Sequence, residues 1–409
     1  MGITLGIQEL REKTGRATAF RRLARLQPAG GAGDKVFPPT YEGAEYALEE
    51  RVIDGRRVPC ALLDSVQSQA NRMELALLAA VRADRIGIPV IEVDFGAKGL
   101  PEVGTITSLE APHRIADAII RDSVDPGSGK PFRTTSAGQV LDTASLGNAT
   151  GLFEVCPTAL LFGLWDSTGP RGGLGAKFQR TLVSELVGVN AALGVRPSSR
   201  IDPLGIQLNA GPLYETSDGG WTLDEGSARR EKDKPVKVGK DGKPSEANHG
   251  NITPSLKSDA GEPNHGGVTL DHALQTSVLS LPALRRLSFP LNGKRDPEAD
   301  LAARTVLAAL GLCAATLWFE QGCDLRSRCL LAPEPGEPPT WEVVEASGET
   351  VSFALDGDGA CTLLVNAIAD AKKTGLNWHD EPIRLVPSDG LAALVGKSRA
   401  LAMQTTAGS

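Results

Sequence analysis

Residues 45–82 read EYALEERVIDGRRVPCALLDSVQSQANRMELALLAAVR, and the punctuation of this stretch decides the fold class. Asp54-Gly55 is a tight-turn dipeptide, since both central positions of a two-residue hairpin need positive φ. It separates Glu45–Ile53 from Arg57–Leu63, which pair as strands. Asp64 or Ser65 then caps a long helix, because a short oxygen-bearing side chain accepts the free N–H groups of a first turn. Val66, Ala70, Met73, Leu77 and Val81 follow at helical spacing and form its buried stripe. Strand, turn, strand and capped helix in so short a span predict an α+β chain.

Ser65, Gln67, Ser68, Asn71 and Arg72 gather on the first two turns, off that stripe. Hydroxyls, amides and a guanidinium beside a helix N-terminus suit a sugar-phosphate backbone. A capped helix with ordinary polar surface is the plainer reading. Upstream, residues 3–10 suit a strand or a short helix. Residues 11–26 carry Arg11, Lys13, Arg16, Arg21, Arg22 and Arg25 against Glu12 alone, an amphipathic basic segment or a solvated helix face.

Downstream, residues 88–95 (IPVIEVDF) predict a buried strand. Ser108 to Ser123 predicts a second amphipathic helix, with Ile115, Ile119 and Ile120 inward and His113, Arg114 and Arg121 more exposed. Residues 123–150 are rich in loop formers. Gly163 to Arg180 (GLWDSTGPRGGLGAKFQR) then links an apolar run at 158–162 to a helical pattern of Leu182, Leu186, Val189 and Leu193. Glycines such as Gly172 and Gly173 let a backbone approach a ligand closely. Arg171, Lys177 and Arg180 among them, ahead of a helix, suit a phosphate. Neither the P-loop nor the dinucleotide fingerprint is present, so a polymer backbone fits better than a nucleotide. A surface turn with solvated charges is the alternative.

Residues 215–267 have few apolar anchors and read as a long mobile insertion. His249, His265 and His272 lie there or close by, near Asp271, but their spacing matches no zinc pattern. No metal and no cofactor are expected. Leu281–Leu287 sets Arg285-Arg286 in an apolar context. Asp296-Pro297-Glu298 starts a helix that runs through Leu301, Val306, Leu307 and Leu310 toward Phe319. Trp341–Val344 and Val351–Leu355 read as strands, Cys361–Lys372 as a helix, and the tail from Ala400 as frayed.

The net charge is −7, so any nucleic-acid role must rest on a local basic patch. Aromatic residues make up only 4%, which argues against base stacking as the main binding device. Six cysteines without a C-x-x-C pair read as reduced thiols. With no N-terminal apolar segment and no apolar run long enough to span a bilayer, a soluble cytoplasmic protein without membrane contact is expected.

Five stretches resemble the backbone subunit of the CRISPR type I-U (I-G) Cascade complex, a RAMP-superfamily protein. They are Phe37-Pro-Pro-Thr-Tyr-Glu-Gly43, Leu63-Asp-Ser-Val-Gln-Ser-Gln-Ala-Asn-Arg-Met-Glu74, His113-Arg-Ile-Ala-Asp117, Gly169-Pro-Arg-Gly-Gly-Leu-Gly175 and Leu279-Ser-Leu-Pro-Ala-Leu-Arg-Arg286. The resemblance implies a modified RRM (ferredoxin-like) palm with large finger-like and thumb-like insertions. The palm would occupy 1–63, 64–150 (with the finger-like insertion), 151–205 (with the glycine-rich loop) and 271–409, and the thumb-like insertion 206–270. It implies a protein without catalytic activity that polymerises head to tail on guide RNA (crRNA), beside other Cascade subunits, and presents that guide to target DNA. In related backbone subunits a Ser-x-Gln stretch followed by basic residues holds guide phosphates. Ser65-Val66-Gln67-Ser68 with Asn71-Arg72 is similar, although Asn71 stands where relatives tend to carry Lys. The RNA-binding set expected is Arg21, Arg22, Ser65, Gln67, Ser68, Asn71, Arg72, His113, Arg114, Arg171, Gly172, Gly173, Lys177 and Arg180.

Since base pairing would carry specificity, such a protein needs only backbone contacts. A purely structural assembly protein is one alternative, and two other readings stay open. One is an RNA endonuclease using Asp34, in the glycine-rich run before Phe37. The other is an enzyme that holds a phosphorylated small molecule on the 169–177 loop, though no nucleophile, base or metal cluster accompanies that loop.

Overall fold

The computed structural model describes residues 3–167, 175–256, 265–336 and 338–407. The basic N-terminal segment divides at Ala17. Ile7–Arg16 is a helix (α1), and Ala19–Pro28, expected to continue the same amphipathic segment, is a strand (β1). Phe20, Arg22, Ala24 and Leu26 are buried while Leu23 and Arg25 are exposed, so the governing period is two, not 3.6. Leu48–Ile53 (β2) and Arg56–Asp64 (β3) form the expected hairpin, with Asp54 and Gly55 at φ 49° and 74°. Val66–Arg82 (α2) starts on Ser65, whose hydroxyl accepts the Ser68 N–H at 3.3 Å.

Leu182–Val189 is a strand (β4), not the helix its leucine spacing suggests. It pairs with β3 on one side and with His272–Ser280 (β5) on the other. That two-sided pairing decides a segment short enough to satisfy both periods. Pro297–Glu320 (α3) begins as expected: the Asp296 carboxylate accepts the N–H groups of Glu298 (2.9 Å) and Ala299 (3.3 Å). Trp341–Val344 (β6), Thr350–Ala354 (β7) and Gly357–Lys373 (α4) complete the main elements.

The sheet runs β7–β6–β1–β5–β4–β3–β2, every neighbouring pair antiparallel. Ile3–Thr4 adds a parallel pair beyond β7, and Leu330–Pro333 joins the end of β1. The chain is therefore α+β with a mainly antiparallel sheet. Helix α3 packs against α1, α2, α4 and β5. It is an apolar run long enough to cross a bilayer, contrary to the expectation that none exists, but 89% of its most apolar window is buried inside the protein. It is the core helix of the sheet's covered face.

That face also carries a polar network. Gln69 of α2 accepts from Ser184 (2.9 Å) and Gln275 (3.0 Å), and donates to Asp64 (2.6 Å); Ser184 lies 2.8 Å from Ser277. All five are buried, so each polar atom depends on the others rather than on water.

Two further expectations change. Residues 108–123 do not form one helix. Arg114–Ala116 is a single tight turn and Ala118–Arg121 one helical turn, because Arg114 takes φ 53° and Asp117 restarts the chain by capping Ile119. The tail from Ala400 belongs to a helix, Asp389–Ala407. All six cysteines are free and buried.

The chain forms two compact units, Met1–Ala191 with Leu270–Ala392, and Ala192–Thr269 with Ala393–Ser409. The second holds short antiparallel pairs, among them Ala192–Val195 with His265–Thr269 and Ser198–Arg200 with Ile252–Ser255. The His249 ring packs edge-on to Trp221 at 5.6 Å. Among the described residues no cluster of His, Cys, Asp or Glu could hold a metal ion.

Candidate nucleic-acid interface

A groove of about 810 Å³ lies in the first unit, between the start of α2, the turn at His113, and a small hairpin. The hairpin pairs Leu164–Trp165 with Lys177–Phe178. Its inner pair, Leu164 opposite Phe178, is buried; its outer pair is Trp165 opposite Lys177, both exposed. Gly175 permits the hairpin to close, since a Cβ there would run into the Asp166 carbonyl. The Asp166 N–H donates to the Ala176 carbonyl at 2.9 Å. Its carboxylate is buried and meets Arg133 at 3.0 Å, so its charge is answered below the surface.

Arg114 sets the floor, and Glu74, which does not line the groove, holds it from beneath. The guanidinium donates to both carboxylate oxygens at 2.7 Å and to the Gly163 carbonyl at 3.1 Å, and lies 5.4 Å from the centre of the Phe162 ring. Both side chains are buried. Burial pushes the Glu74 carboxyl up to about 7, against the opposing pull of Arg114. Gly163 has φ 90°, and a Cβ on it would lie 3.1 Å from Arg180 Cγ and 3.3 Å from the Phe178 carbonyl oxygen. Only glycine fits between the Arg114 anchor and the chain at Phe178–Arg180.

The expected residues sort into two sets. Gln67, Asn71, His113, Lys177 and Arg180 line the groove and are exposed, and Arg114 lines it from a buried position. Arg21, Arg22, Ser65, Ser68 and Arg72 lie off the groove. Arg21 forks onto Glu342 at 2.7 and 3.0 Å on the open sheet face. Arg22 is buried, its guanidinium 4.3 Å from the Phe319 ring centre and 5.0 Å from that of Trp341, and burial lowers its pKa to about 10. Ser65 is occupied as the cap that binds the Ser68 N–H. Arg72 reaches Asp64 at 3.0 Å and the Leu325 carbonyl at 2.6 Å. Arg171, Gly172 and Gly173 lie outside the described residues. The helix expected after the glycine-rich loop, whose N-terminus was to attract phosphate, is β4.

Trp165 and Gln179 also line the groove and were not expected there. The alternation Lys177-Phe178-Gln179, polar-apolar-polar, is a strand signal that places Gln179 beside Lys177; nothing in the sequence singles out Trp165. No Asp or Glu is among the lining residues. Lys177 and Arg180 make no ion pair among the described residues. Asp34, the nuclease candidate, accepts the Lys35 N–H at 2.9 Å and lies in none of the segments that form this groove.

No curated protein matches the chain. Residues 21–193 match the family model described as CRISPR-associated protein GSU0053. The matched span includes every segment that lines the groove, from Val66 to Val183. Over residues 21–193, less than half of the 409-residue chain, the protein is similar to this CRISPR-associated family.

Proposed function

We propose that the protein is the guide-RNA-binding backbone subunit of a type I CRISPR effector complex, and that its groove holds the RNA backbone. The family match supports a role in CRISPR defence. The observation that carries the finer reading is the groove's polar lining: cations, amides and an imidazole, with no carboxylate among the described lining residues, in a chain of net charge −7. Backbone recognition draws on such donors, and an acid-free patch is where a polyanion can settle on an acidic protein.

The strand order supports a palm of the RRM type. Taken alone, β1, α2, β4, β5, α3 and β6 follow a β-α-β-β-α-β path with the strands ordered β6–β1–β5–β4. In this reading the protein acts in the cytoplasm without catalysis, lines up head to tail with its copies and other Cascade subunits on the guide, and meets target DNA through that guide.

The test is co-expression with a CRISPR array, followed by extraction of RNA from the purified particle. The wild type should carry guide-length RNA, and a Lys177→Ala/Arg180→Ala variant of unchanged thermal stability should carry much less. A wild-type particle free of RNA, in the presence of the partner subunits, overturns the proposal.

A further inference from the structure

We propose that Trp165 is a nucleobase-stacking residue, so that the groove takes single-stranded RNA with one base unstacked and laid on the indole. This rests on the RNA-binding reading above. Three of the other four tryptophans, Trp318, Trp341 and Trp378, are buried, and Trp221 packs against His249. Trp165 is 62% exposed although it stands in a strand pair whose inner residues are buried. All four residues of the hairpin pairs line the groove, and period two buries Leu164 and Phe178 while it leaves Trp165 and Lys177 exposed.

The Lys177 ammonium lies 5.6 Å from the indole centroid. A cation beside an aromatic surface matches a nucleotide, which offers a planar base and an anionic phosphate a short distance apart. Gln67, Asn71 and Gln179 line the same groove, and each amide has a donor and an acceptor for the edge of an unpaired base. Asp166, the neighbouring carboxylate, is buried on Arg133 and does not repel the strand. An aromatic residue can stack only on a base whose face is free, so the occupant is single-stranded. One indole serves a chain poor in aromatics: the phosphate contacts carry most of the affinity, and the stack fixes where one base lies.

The test titrates protein into two labelled probes, a short uridine oligomer and an abasic sugar-phosphate chain of the same length. Trp165→Ala should lower affinity for the uridine probe about tenfold and leave the abasic probe unaffected. Trp165→Phe should restore most of the loss. Uridine RNA should quench indole emission in the wild type and less in Trp165→Ala. If Trp165→Ala binds both probes as the wild type does, or loses both equally, the stacking role is overturned. A concurrent loss in Lys177→Ala/Arg180→Ala then shows that the groove still binds RNA. If that double variant also binds both probes normally, the RNA lies elsewhere and the groove reading fails with it.

Discussion

Arg114 and Glu74, 40 residues apart in sequence, are joined by two parallel hydrogen bonds of 2.7 Å in a buried site. The pair ties the turn at His113 to the middle of α2, and through the Gly163 carbonyl to the groove's hairpin. Breaking the pair from one side leaves the buried Glu74 carboxyl without its two donors. Arg114→Ala should therefore cost about 3–5 kcal/mol, read as a lower denaturant midpoint of the first unit.

The same pair gives stability a pH dependence. The native carboxyl of Glu74 holds its proton up to about 7, whereas an unfolded glutamate releases it at about 4.3. The native state thus binds more protons between these values. Its stabilising share is complete below the lower value and is lost as pH rises through the upper one. Thermal unfolding of the wild type and Glu74→Gln across this window should show a decline in the wild type that the variant, with no proton to lose, lacks. Parallel curves would contradict it.

Charge removal should separate binding cations from structural ones. Lys177→Ala and Arg180→Ala should each lower RNA affinity and flatten the log–log salt slope by about 0.7 for every phosphate that is no longer neutralised, with little change in melting temperature. Arg72→Ala should do the reverse, because its partners are Asp64 and the Leu325 carbonyl. Salt-dependent anisotropy beside thermal unfolding reads both quantities.

Gly163→Ala combines a positive φ with a methyl group pressed on Arg180 and the Phe178 carbonyl. A loss of about 1–3 kcal/mol is expected, with weaker RNA binding because Arg180 is displaced. Denaturant titration beside the RNA assay checks it; a neutral variant would mean that the hairpin yields.

Gln69→Ala should leave Ser184 and Gln275 without their shared acceptor inside the protein. Losing these buried hydrogen bonds should cost about 1–3 kcal/mol, measurable by equilibrium unfolding, while exposed Gln67→Ala, two residues away, should leave stability unchanged.

What the sequence made legible was chemistry that acts locally. Asp54-Gly55 folds its hairpin and Ser65 and Asp296 cap their helices wherever the rest of the chain lies, so the turn, α2 and α3 could be read directly. Leu182, Leu186 and Val189 suit a helix by spacing, and only pairing with residues 56–64 and 272–280 makes them a strand. Arg22 looks like the solvated Arg21 beside it; its burial depends on Phe319 and Trp341, distant in sequence. The groove was half legible for the same reason. Gln67, Asn71, His113, Lys177 and Arg180 stood out by residue type, but which cations face a ligand depends on carboxylates that tertiary structure brings to the others. Trp165 gave no local sign.

The position of β1 between β5 and β6 has a consequence for synthesis. A strand made from residues 19–28 waits for both neighbours until Val344 has left the ribosome, because they come from 272–280 and 341–344. Helix α3 emerges before β6 closes the sheet, and it is apolar enough to pass for a bilayer segment. During that interval the nascent chain displays its most adhesive surface with no sheet complete enough to cover it. Pairing across so long a stretch of sequence is the kind that slows folding and leaves apolar surface exposed on the way.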